Sequence, residues 1–337
     1  MNTIIKRNSK IDFLKGLAIF LVVWGHTIQY GNNGEFDFFL NPIFIFIYTF
    51  HMPLFMFISG FLFFYSVSNK RCSDVIIKKI KQLVVPIVAW STVYYILVQL
   101  LTGKSISIID LIKSCISSFW FLFTLFVLSV IVTLVHRYFK NNLFIYVVLG
   151  ILILFLPEKF NLVYIKFMYP YFVLGYLLNK YKTKIMEYID IIGISCTILF
   201  LILLIGWTKD YYIYITGMNL YVNNIFRKLF VICYRYLAGV SGAGVIIYII
   251  YKFYQDNKYT NILNKIGKYT LGIYIVQTYI VMILDGFVIP SFLINNFLVY
   301  NFIFTPILAV IIIGVCIGIS IVIKKNNYLK TIFLGGR

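Results

Sequence analysis

The sequence predicts an all-α protein, a polytopic bundle of about ten transmembrane helices. Hydrophobic residues make up 61% of the chain and charged residues only 12%, which gives a mean hydropathy of +0.92. A water-soluble domain has too small a core to bury that much apolar surface. Repeated apolar runs near the ~20 residues that cross a bilayer as a helix therefore predict membrane spans.

Apolar runs set off by charged and turn-forming residues predict where the ten spans lie. The longest loops on the outer side lie near 31–41, 102–118 and 208–224. No internal repeat and no Gly- or Ser-rich linker occurs, so residues 1–337 are predicted to form a single membrane domain with no appended soluble domain. The predicted spans are residues 13–30, 42–68, 83–101, 119–136, 143–156, 163–178, 189–207, 225–251, 266–285 and 297–323.

The basic residues predict the orientation of the spans. The chain carries 30 Lys and Arg against 11 Asp and Glu, a net charge of +19. Most of the cations fall in alternate loops, beginning with the N-terminal segment, as expected of cytoplasmic loops. Both termini are therefore predicted to be cytoplasmic. Because no polar domain carries a basic stripe, a nucleic-acid partner is not expected.

The five cysteines predict no metal site. They are scattered in or near apolar segments, with no CxxC pair and no metal-ligand spacing. Cysteine is among the residue types most often buried, so a structural role is expected. The positions are Cys72, Cys115, Cys196, Cys233 and Cys316.

The first span carries three polar side chains on one face. Asp12, Lys15 and His26 are separated by three and eleven residues, and eleven residues return a helix to within ~20° of the same side, ~16 Å along the axis. Asp12 and Lys15 are predicted at the cytoplasmic mouth and His26 near mid-membrane. An ionisable side chain at that depth by default faces the bundle interior and marks a functional site. The alternative is a histidine that only hydrogen-bonds a neighbouring helix.

Five segments, in order, resemble the acyltransferase 3 family of membrane O-acyltransferases. The first span has that family's basic residue, ten others and a histidine, at Lys15 and His26. The second span contains FHMPLFMFISGFLF, which is similar to a family motif. Three later segments, FWFLFTLFVL, YPYFVLGYLL and IGKYTLGIYIVQTYI, resemble further spans of the family. The matching positions after the first span are His51, Met52, Pro53, Phe55, Ser59, Gly60, Trp120, Phe121, Leu122, Tyr171, Phe172, Gly175, Gly267, Leu271 and Tyr274.

Two positions depart from the family pattern. The closing motif often ends in histidine, where this chain has Gln277, so no titrating role is expected there. The family's paired arginines after the second span correspond to Lys79 and Gln82, which leaves one position uncharged. Lysine cannot reproduce a bidentate arginine contact. Whether Lys78 or Lys81 compensates is open.

The resemblance implies transfer of an acyl group, most simply acetyl, from a coenzyme A thioester to a sugar hydroxyl of a bacterial surface polysaccharide or its lipid-linked precursor. The reaction needs a base for the hydroxyl proton, and His26 is the candidate because imidazole titrates near neutral pH. Acyl-CoA is expected as a co-substrate, with no tightly bound cofactor. Its phosphates need cationic partners at the cytoplasmic face. The residues placed for this are Lys15, Arg71, Lys79 and Lys81. Ordinary anchoring of cytoplasmic loops explains the last three equally well.

Asp12 and His51 complete the candidate catalytic set. Asp12 is expected to pair with Lys15 or to cap the first helix, in preference to a direct part in catalysis. His51 could face His26. It could equally hydrogen-bond a backbone carbonyl group that Pro53 frees within the second span.

Arg235 is a charged residue in a predicted span that contains no carboxylate. It could contact an anionic group of the donor or the acceptor, and the alternative is that it reaches the outer interface. Ser59 lacks a GxSxG context and fits a contact between helices better than a nucleophile.

Two other classes of protein would share many spans. A transporter or flippase for lipid-linked sugars would also bury charges, but it should show a repeat that relates its halves. A glycan polymerase would want a large extracytoplasmic loop. The sequence therefore predicts an enzyme of the bacterial cytoplasmic membrane whose partners are acyl-CoA, a saccharide acceptor and membrane lipid.

Overall fold

The computed structural model describes residues 8–68, 70–102, 107–221, 224–284, 286 and 288–336. Every regular element within these residues is a helix, which confirms the predicted all-α class. Six helices are long and apolar enough to cross a membrane, and a seventh span results if one sharply bent helix pair is counted together. The count of ten spans and the cytoplasmic position of the termini stay predictions.

Short loops and single turns join the helices. Two π-helical segments, Ile80–Val84 and Tyr300–Phe304, run directly into the α-helix that follows each of them. The 3-10 turns are Phe38–Leu40, Lys159–Asn161 and Lys209–Tyr211. The α-helices are α1 (Ser9–Tyr30), α2 (Pro42–Val67), α3 (Cys72–Lys79), α4 (Val85–Thr102), α5 (Ile108–Ser117), α6 (Trp120–Tyr138), α7 (Leu143–Leu154), α8 (Leu162–Lys180), α9 (Lys182–Glu187), α10 (Ile189–Ile205), α11 (Ile213–Thr216), α12 (Ile225–Phe253), α13 (Thr260–Gly267), α14 (Thr270–Leu284), α15 (Ser291–Ile294), α16 (Phe297–Val299), α17 (Thr305–Lys324) and α18 (Asn327–Leu334).

The predicted span 266–285 is not one straight helix. α13 ends at Gly267, α14 begins at Thr270, and the two are bent by 81°. No proline marks the break, so the apolar pattern predicted a continuous helix.

The chain folds into two compact units that interleave along the sequence. Unit 1 contains α1, α10, α13, α14, α15 and α16, with most of α2, α12 and α17. Its segments are Met1–Ile58, Met186–Trp207 and Leu237–Ser320, and those of unit 2 are Ser59–Ile185, Thr208–Tyr236 and Ile321–Arg337.

In unit 1, α1 packs along α13 and α14. Gly16 of α1 faces the backbone of Leu263, and Gly267 faces the backbone of Asp12. A Cβ atom on either glycine would collide with a carbonyl oxygen. Small residues let helices approach closely where lipid removes the hydrophobic drive for association. The two glycines therefore allow α13 to lie against the half of α1 that carries Asp12 and Lys15.

In unit 2, α8 packs against α6 and α7, and α4 packs against α5 and α18. Gly60 in the last third of α2 lies against the backbone of Phe172 in α8, with no room for a Cβ atom. The indole N–H of Trp90 donates to the carbonyl oxygen of Phe333 at 2.9 Å, which ties α18 to α4. Gly60 of the second-span motif thus serves helix packing.

Candidate active site

His26 lies near the C-terminal end of α1. The helix runs from Ser9 to Tyr30, so His26 is ~26 Å from its start and ~6 Å from its end at ~1.5 Å per residue. It is therefore nearer the end of the span than the mid-membrane depth expected from the sequence. Lys15 shares its face of α1 ~16 Å nearer the N-terminus, and both side chains are part-buried.

Asp12 does not cap α1. The N-cap residue is Asn8, whose side-chain oxygen accepts the Lys10 N–H at 3.0 Å. Asp12 is buried one turn later, where its backbone contacts Gly267 of α13. The predicted capping role is therefore wrong. Its carboxylate still lies near the positive end of the helix dipole, where negative charge is favourable.

The His26 imidazole is oriented by Gln277, for which the sequence predicted no titrating role. Nδ1 of His26 lies 2.8 Å from Oε1 of Gln277 on α14, and Gln277 is fully buried. The Gln277 amide nitrogen faces the carbonyl oxygen of Tyr274 and the hydroxyl oxygen of Thr278, each at 3.3 Å. Because a carbonyl group only accepts, the NH₂ group must point to Tyr274 and the amide oxygen to His26.

An amide oxygen as partner fixes the proton on His26. The oxygen only accepts, so Nδ1 must donate, and the neutral imidazole then carries its lone pair on Nε2. Nε2 is the atom that can take a proton from an alcohol. The arrangement is that of a base held in one tautomer by a neighbouring group. The one sequence signal for Gln277 was its position, where the resembling family often has histidine.

The bent pair α13–α14 contacts α1 at both ends of its polar face. α13 reaches Asp12 through Gly267, and α14 reaches His26 through Gln277. A helix break inside a membrane protein is tolerated where protein or a cavity satisfies the backbone groups that the break frees. The bend thus lets one continuous stretch of chain hold both ends of the stripe.

Hydrogen bonds fix the segment of α1 on either side of His26. The indole N–H of Trp24 donates to Oγ1 of Thr305 at 3.0 Å. The Thr27 hydroxyl lies 3.0 Å from the carbonyl oxygen of Thr305. Thr305 begins α17 directly after a π-helical segment. A side chain on a helix held in this way keeps its position, which a base that must meet a substrate hydroxyl requires.

His51 is buried within α2. Its Nδ1 lies 2.8 Å from the carbonyl oxygen of Ile47, so Nδ1 donates and Nε2 again carries the lone pair. The predicted bond to a backbone carbonyl is present. The acceptor is Ile47, one turn earlier, and not Thr49, whose carbonyl group Pro53 frees.

Tyr48 connects the surroundings of the two histidines. Its ring packs on the His51 ring at 4.6 Å between centroids and faces Gly25, the neighbour of His26 in sequence. The Tyr48 hydroxyl donates to Oε1 of Gln29 at 3.1 Å. His51 and His26 lie within electrostatic reach of each other. A direct role of His51 in catalysis stays a prediction.

Three of the cations predicted to bind the donor lie in unit 2. Arg71 is the exposed N-cap residue of α3. Lys79 ends α3, with its ammonium group 4.9 Å from the centre of the Phe63 ring, a cation–π contact. Lys81 is exposed in the first π-helical segment. Donor binding by these residues and by Lys15 stays a prediction.

A small basic cavity of about 80 Å³ in unit 2 lies beside them. It holds two cationic side chains, an imidazole and hydroxyl groups, which are groups that bind phosphate. The first turn of α3 borders it, and the α3 N-cap supplies no side-chain hydrogen bond, so backbone N–H groups are also at hand. The polar side chains that line it are Ser68, Lys70, Thr133, His136 and Arg137. The sequence analysis explained these cations by topology alone.

Arg235 is almost fully buried in α12 and donates four hydrogen bonds to the loop that precedes this helix. Its donors are therefore used inside the protein, and it does not reach an interface. The geometry favours a structural role over the predicted contact with donor or acceptor. The acceptors are the carbonyl oxygens of Tyr211, Gly217 and Asp210 and the hydroxyl group of Thr216, at 2.8, 2.9, 3.3 and 2.7 Å.

A bundle of apolar helices that holds an oriented, neutral imidazole is a membrane protein with the elements of a general-base site. The chain belongs to a family of acyltransferases. The family model described as "Acyltransferase domain" matches residues 8–324. This match confirms the family predicted from the sequence motifs.

Two curated relatives are similar to part of the chain. Nodulation protein NolL of Mesorhizobium japonicum is 30% identical over 218 residues, which cover 62% of this chain and 58% of that protein. Nodulation protein NolL of Sinorhizobium fredii is 27% identical over 220 residues, which cover 62% and 60%. The chain thus spans less than two thirds of the length of these relatives. No solved structure matches it.

Proposed function

We propose that the protein is a membrane-bound O-acyltransferase of the bacterial cytoplasmic membrane. It transfers an acyl group, most simply acetyl, from acyl-CoA to a sugar hydroxyl of a surface polysaccharide or its lipid-linked precursor. The observation that carries the proposal is the hydrogen bond from His26 to Gln277 at 2.8 Å, which leaves Nε2 as a base. Membership of the acyltransferase family supports the reaction type.

In this reaction Nε2 of His26 takes the proton of the sugar hydroxyl as its oxygen attacks the thioester carbonyl carbon. The C–O bond forms, the tetrahedral centre collapses, and the C–S bond breaks. The imidazolium returns its proton to the coenzyme A thiolate, so the products are the sugar ester and free thiol. Gln277 accepts the Nδ1 proton throughout and keeps the ring oriented.

The basic cavity supports acyl-CoA as the donor. The coenzyme carries several phosphate groups, which charge-assisted hydrogen bonds from Lys and Arg bind well. Lys70 and Arg137 both line the cavity, and both belong to loops predicted to be cytoplasmic. The cytoplasm is where the coenzyme resides, so this side suits the donor.

The test is mass spectrometry of the surface glycan from cells with the gene, without it, and with the His26→Ala variant. The proposal expects an acyl group that is lost with the gene and is not restored by the variant. The mass difference identifies the acyl chain. A glycan identical in all three strains contradicts the proposal.

A transporter or flippase for lipid-linked sugars is the second candidate. The bend of 81° between α13 and α14 favours it, because discontinuous helices form the binding sites of many transporters. A transporter changes the amount of glycan at the surface and leaves each unit chemically unaltered. The same mass spectra therefore separate the two candidates.

A further inference from the structure

We propose that a cavity beyond the C-terminal end of α1, in unit 1, holds one saccharide unit of the acyl acceptor. The inference rests on the proposed function and adds the place where the acceptor binds. The cavity has a volume of about 320 Å³ and lies between residues 36–42 and residues 294–301. That volume is at the lower end of the ~300–1,000 Å³ typical of small-molecule sites. The segments lie on the side predicted to be extracytoplasmic.

Aromatic rings form part of the cavity wall. Phe36 packs edge-on against Tyr300, with 5.5 Å between ring centroids. Phe297 also lines the cavity and is 46% exposed. A sugar ring has an apolar C–H face that packs on aromatic rings, and a hydroxyl edge that needs hydrogen-bond partners. These three residues offer surface for the first of these needs.

The remaining lining meets the second need. Asp37, Asn41, Asn295 and Asn301 all line the cavity. Nδ2 of Asn41 donates to Oδ1 of Asn301 at 2.9 Å, and Nδ2 of Asn301 donates to the carbonyl oxygen of Phe297 at 3.0 Å. An amide NH₂ group has two N–H donors, so each of these two amides keeps a second one for a ligand oxygen.

The burial of these amides favours a hydroxyl-bearing ligand over a lipid chain. Asn41 is 6% exposed and Asn301 is 1% exposed. A buried N–H without a partner costs free energy, and an acyl or polyprenyl chain in the cavity would leave the second donors unsatisfied. Sugar hydroxyl groups accept such hydrogen bonds.

The cavity is held open by contacts between its two bordering loops. Nδ2 of Asn33 donates to the carbonyl oxygen of Ile289 at 2.8 Å. The Ser291 hydroxyl donates to a carboxylate oxygen of Glu35 at 3.2 Å. The amide bond from Asn41 joins the same two parts of the chain. A site that is formed before binding loses less conformational entropy when the ligand arrives.

The cavity wall is also bonded to the helix that carries the base. The Tyr300 hydroxyl donates to the carbonyl oxygen of Ile28 at 3.0 Å, two residues after His26. Tyr300 opens the π-helical segment Tyr300–Phe304, and such segments are frequent at functional sites. A sugar in the cavity is therefore held at the end of α1 where His26 lies.

The experiment compares Phe297→Ala with Leu298→Ala. Both residues are exposed neighbours on α16, and only Phe297 lines the cavity. The purified protein in lipid nanodiscs receives radiolabelled acetyl-CoA and glycan prepared from the gene-deletion strain. We expect Phe297→Ala to raise the KM for the glycan about 10-fold. The KM for acetyl-CoA and its hydrolysis without glycan should not change, and Leu298→Ala should match the unaltered protein.

A second variant, Asn295→Ala, removes an exposed polar side chain of the lining and should raise the same KM. If both lining variants leave the glycan KM unchanged while the unaltered protein is active, the cavity does not bind the acceptor. A rise seen only with lipid-linked glycan, and not with free glycan, overturns the proposal in favour of a lipid chain. No acyl transfer by the unaltered protein would instead contradict the proposed function itself.

Discussion

His26 in unit 1 and Arg235 in unit 2 are both ionisable side chains inside apolar helices, and the sequence predicted a functional contact for each. Arg235 donates four hydrogen bonds to a single loop, out of the five N–H groups of a guanidinium. His26 donates through Nδ1 and keeps the lone pair of Nε2. Burial of an ionisable group therefore indicates a functional site only when the group retains hydrogen-bonding capacity for a ligand.

The largest effect on activity should come from His26. The His26→Ala variant removes the base, and we expect kcat to fall by ~10²–10⁴-fold. Helix α1 keeps its contacts through Gly16, Trp24 and Thr27, so insertion and thermal stability should stay close to those of the unaltered protein. Acetyl transfer from radiolabelled acetyl-CoA measures the first, and expression level with thermal unfolding measures the second. Full activity in this variant would end the catalytic assignment.

Arg235→Lys should reverse that pattern. Lysine keeps the charge but cannot make the four-fold contact, so we expect the free energy of unfolding to fall by about 3 kcal/mol. The matched control is Arg227→Lys on the same helix, because Arg227 is exposed and pairs with Asp210 at 2.8 Å on the surface. Exposed pairs contribute only ~0–1 kcal/mol. The folded fraction of Arg235→Lys should keep its KM for acyl-CoA, and a selective rise of that KM would restore the ligand-binding interpretation.

Gln277→Leu should lower kcat by about 10–100-fold without changing the KM for either substrate. The reason is that leucine cannot accept the Nδ1 proton, so the imidazole loses its fixed tautomer. Gln277→Glu restores an acceptor and should recover most of the rate. Thr278→Val removes only a contact at 3.3 Å and serves as the control. Equal losses in the leucine and glutamate variants would mean that Gln277 acts only through packing.

The smallest expected effect concerns the basic cavity of unit 2. Lys70→Ala combined with Arg137→Ala should raise the KM for acyl-CoA about 10-fold, because two charge-assisted contacts to phosphate are lost. Lys182→Ala removes an exposed cation of α9 outside the cavity and should have no effect. If all three substitutions raise the KM alike, the effect reflects overall charge and not the cavity.

Composition and spacing predicted the helical class and the stripe of α1. Both follow from local rules, since apolar runs set helices and a helix repeats its face after eleven residues. The family resemblance placed His26 in the site. The Asp12 cap was predicted wrongly because Asn8 precedes it and fills the position.

Tertiary contacts account for what the sequence did not predict. The partner of His26 lies on a helix 251 residues later in the chain, and the break before that helix has no proline to mark it. The carbonyl oxygens that saturate Arg235 belong to a loop whose backbone conformation no side-chain pattern encodes. The saccharide cavity likewise joins residues from the two ends of the chain.

The most direct test of the oriented base is ¹⁵N NMR of the protein labelled at histidine, which has only three signals to assign. The account predicts that His26 is neutral, with the proton on Nδ1 and a bare Nε2, and that Gln277→Leu changes the His26 signal most. A His26 that carries its proton on Nε2 in the unaltered protein would contradict the account.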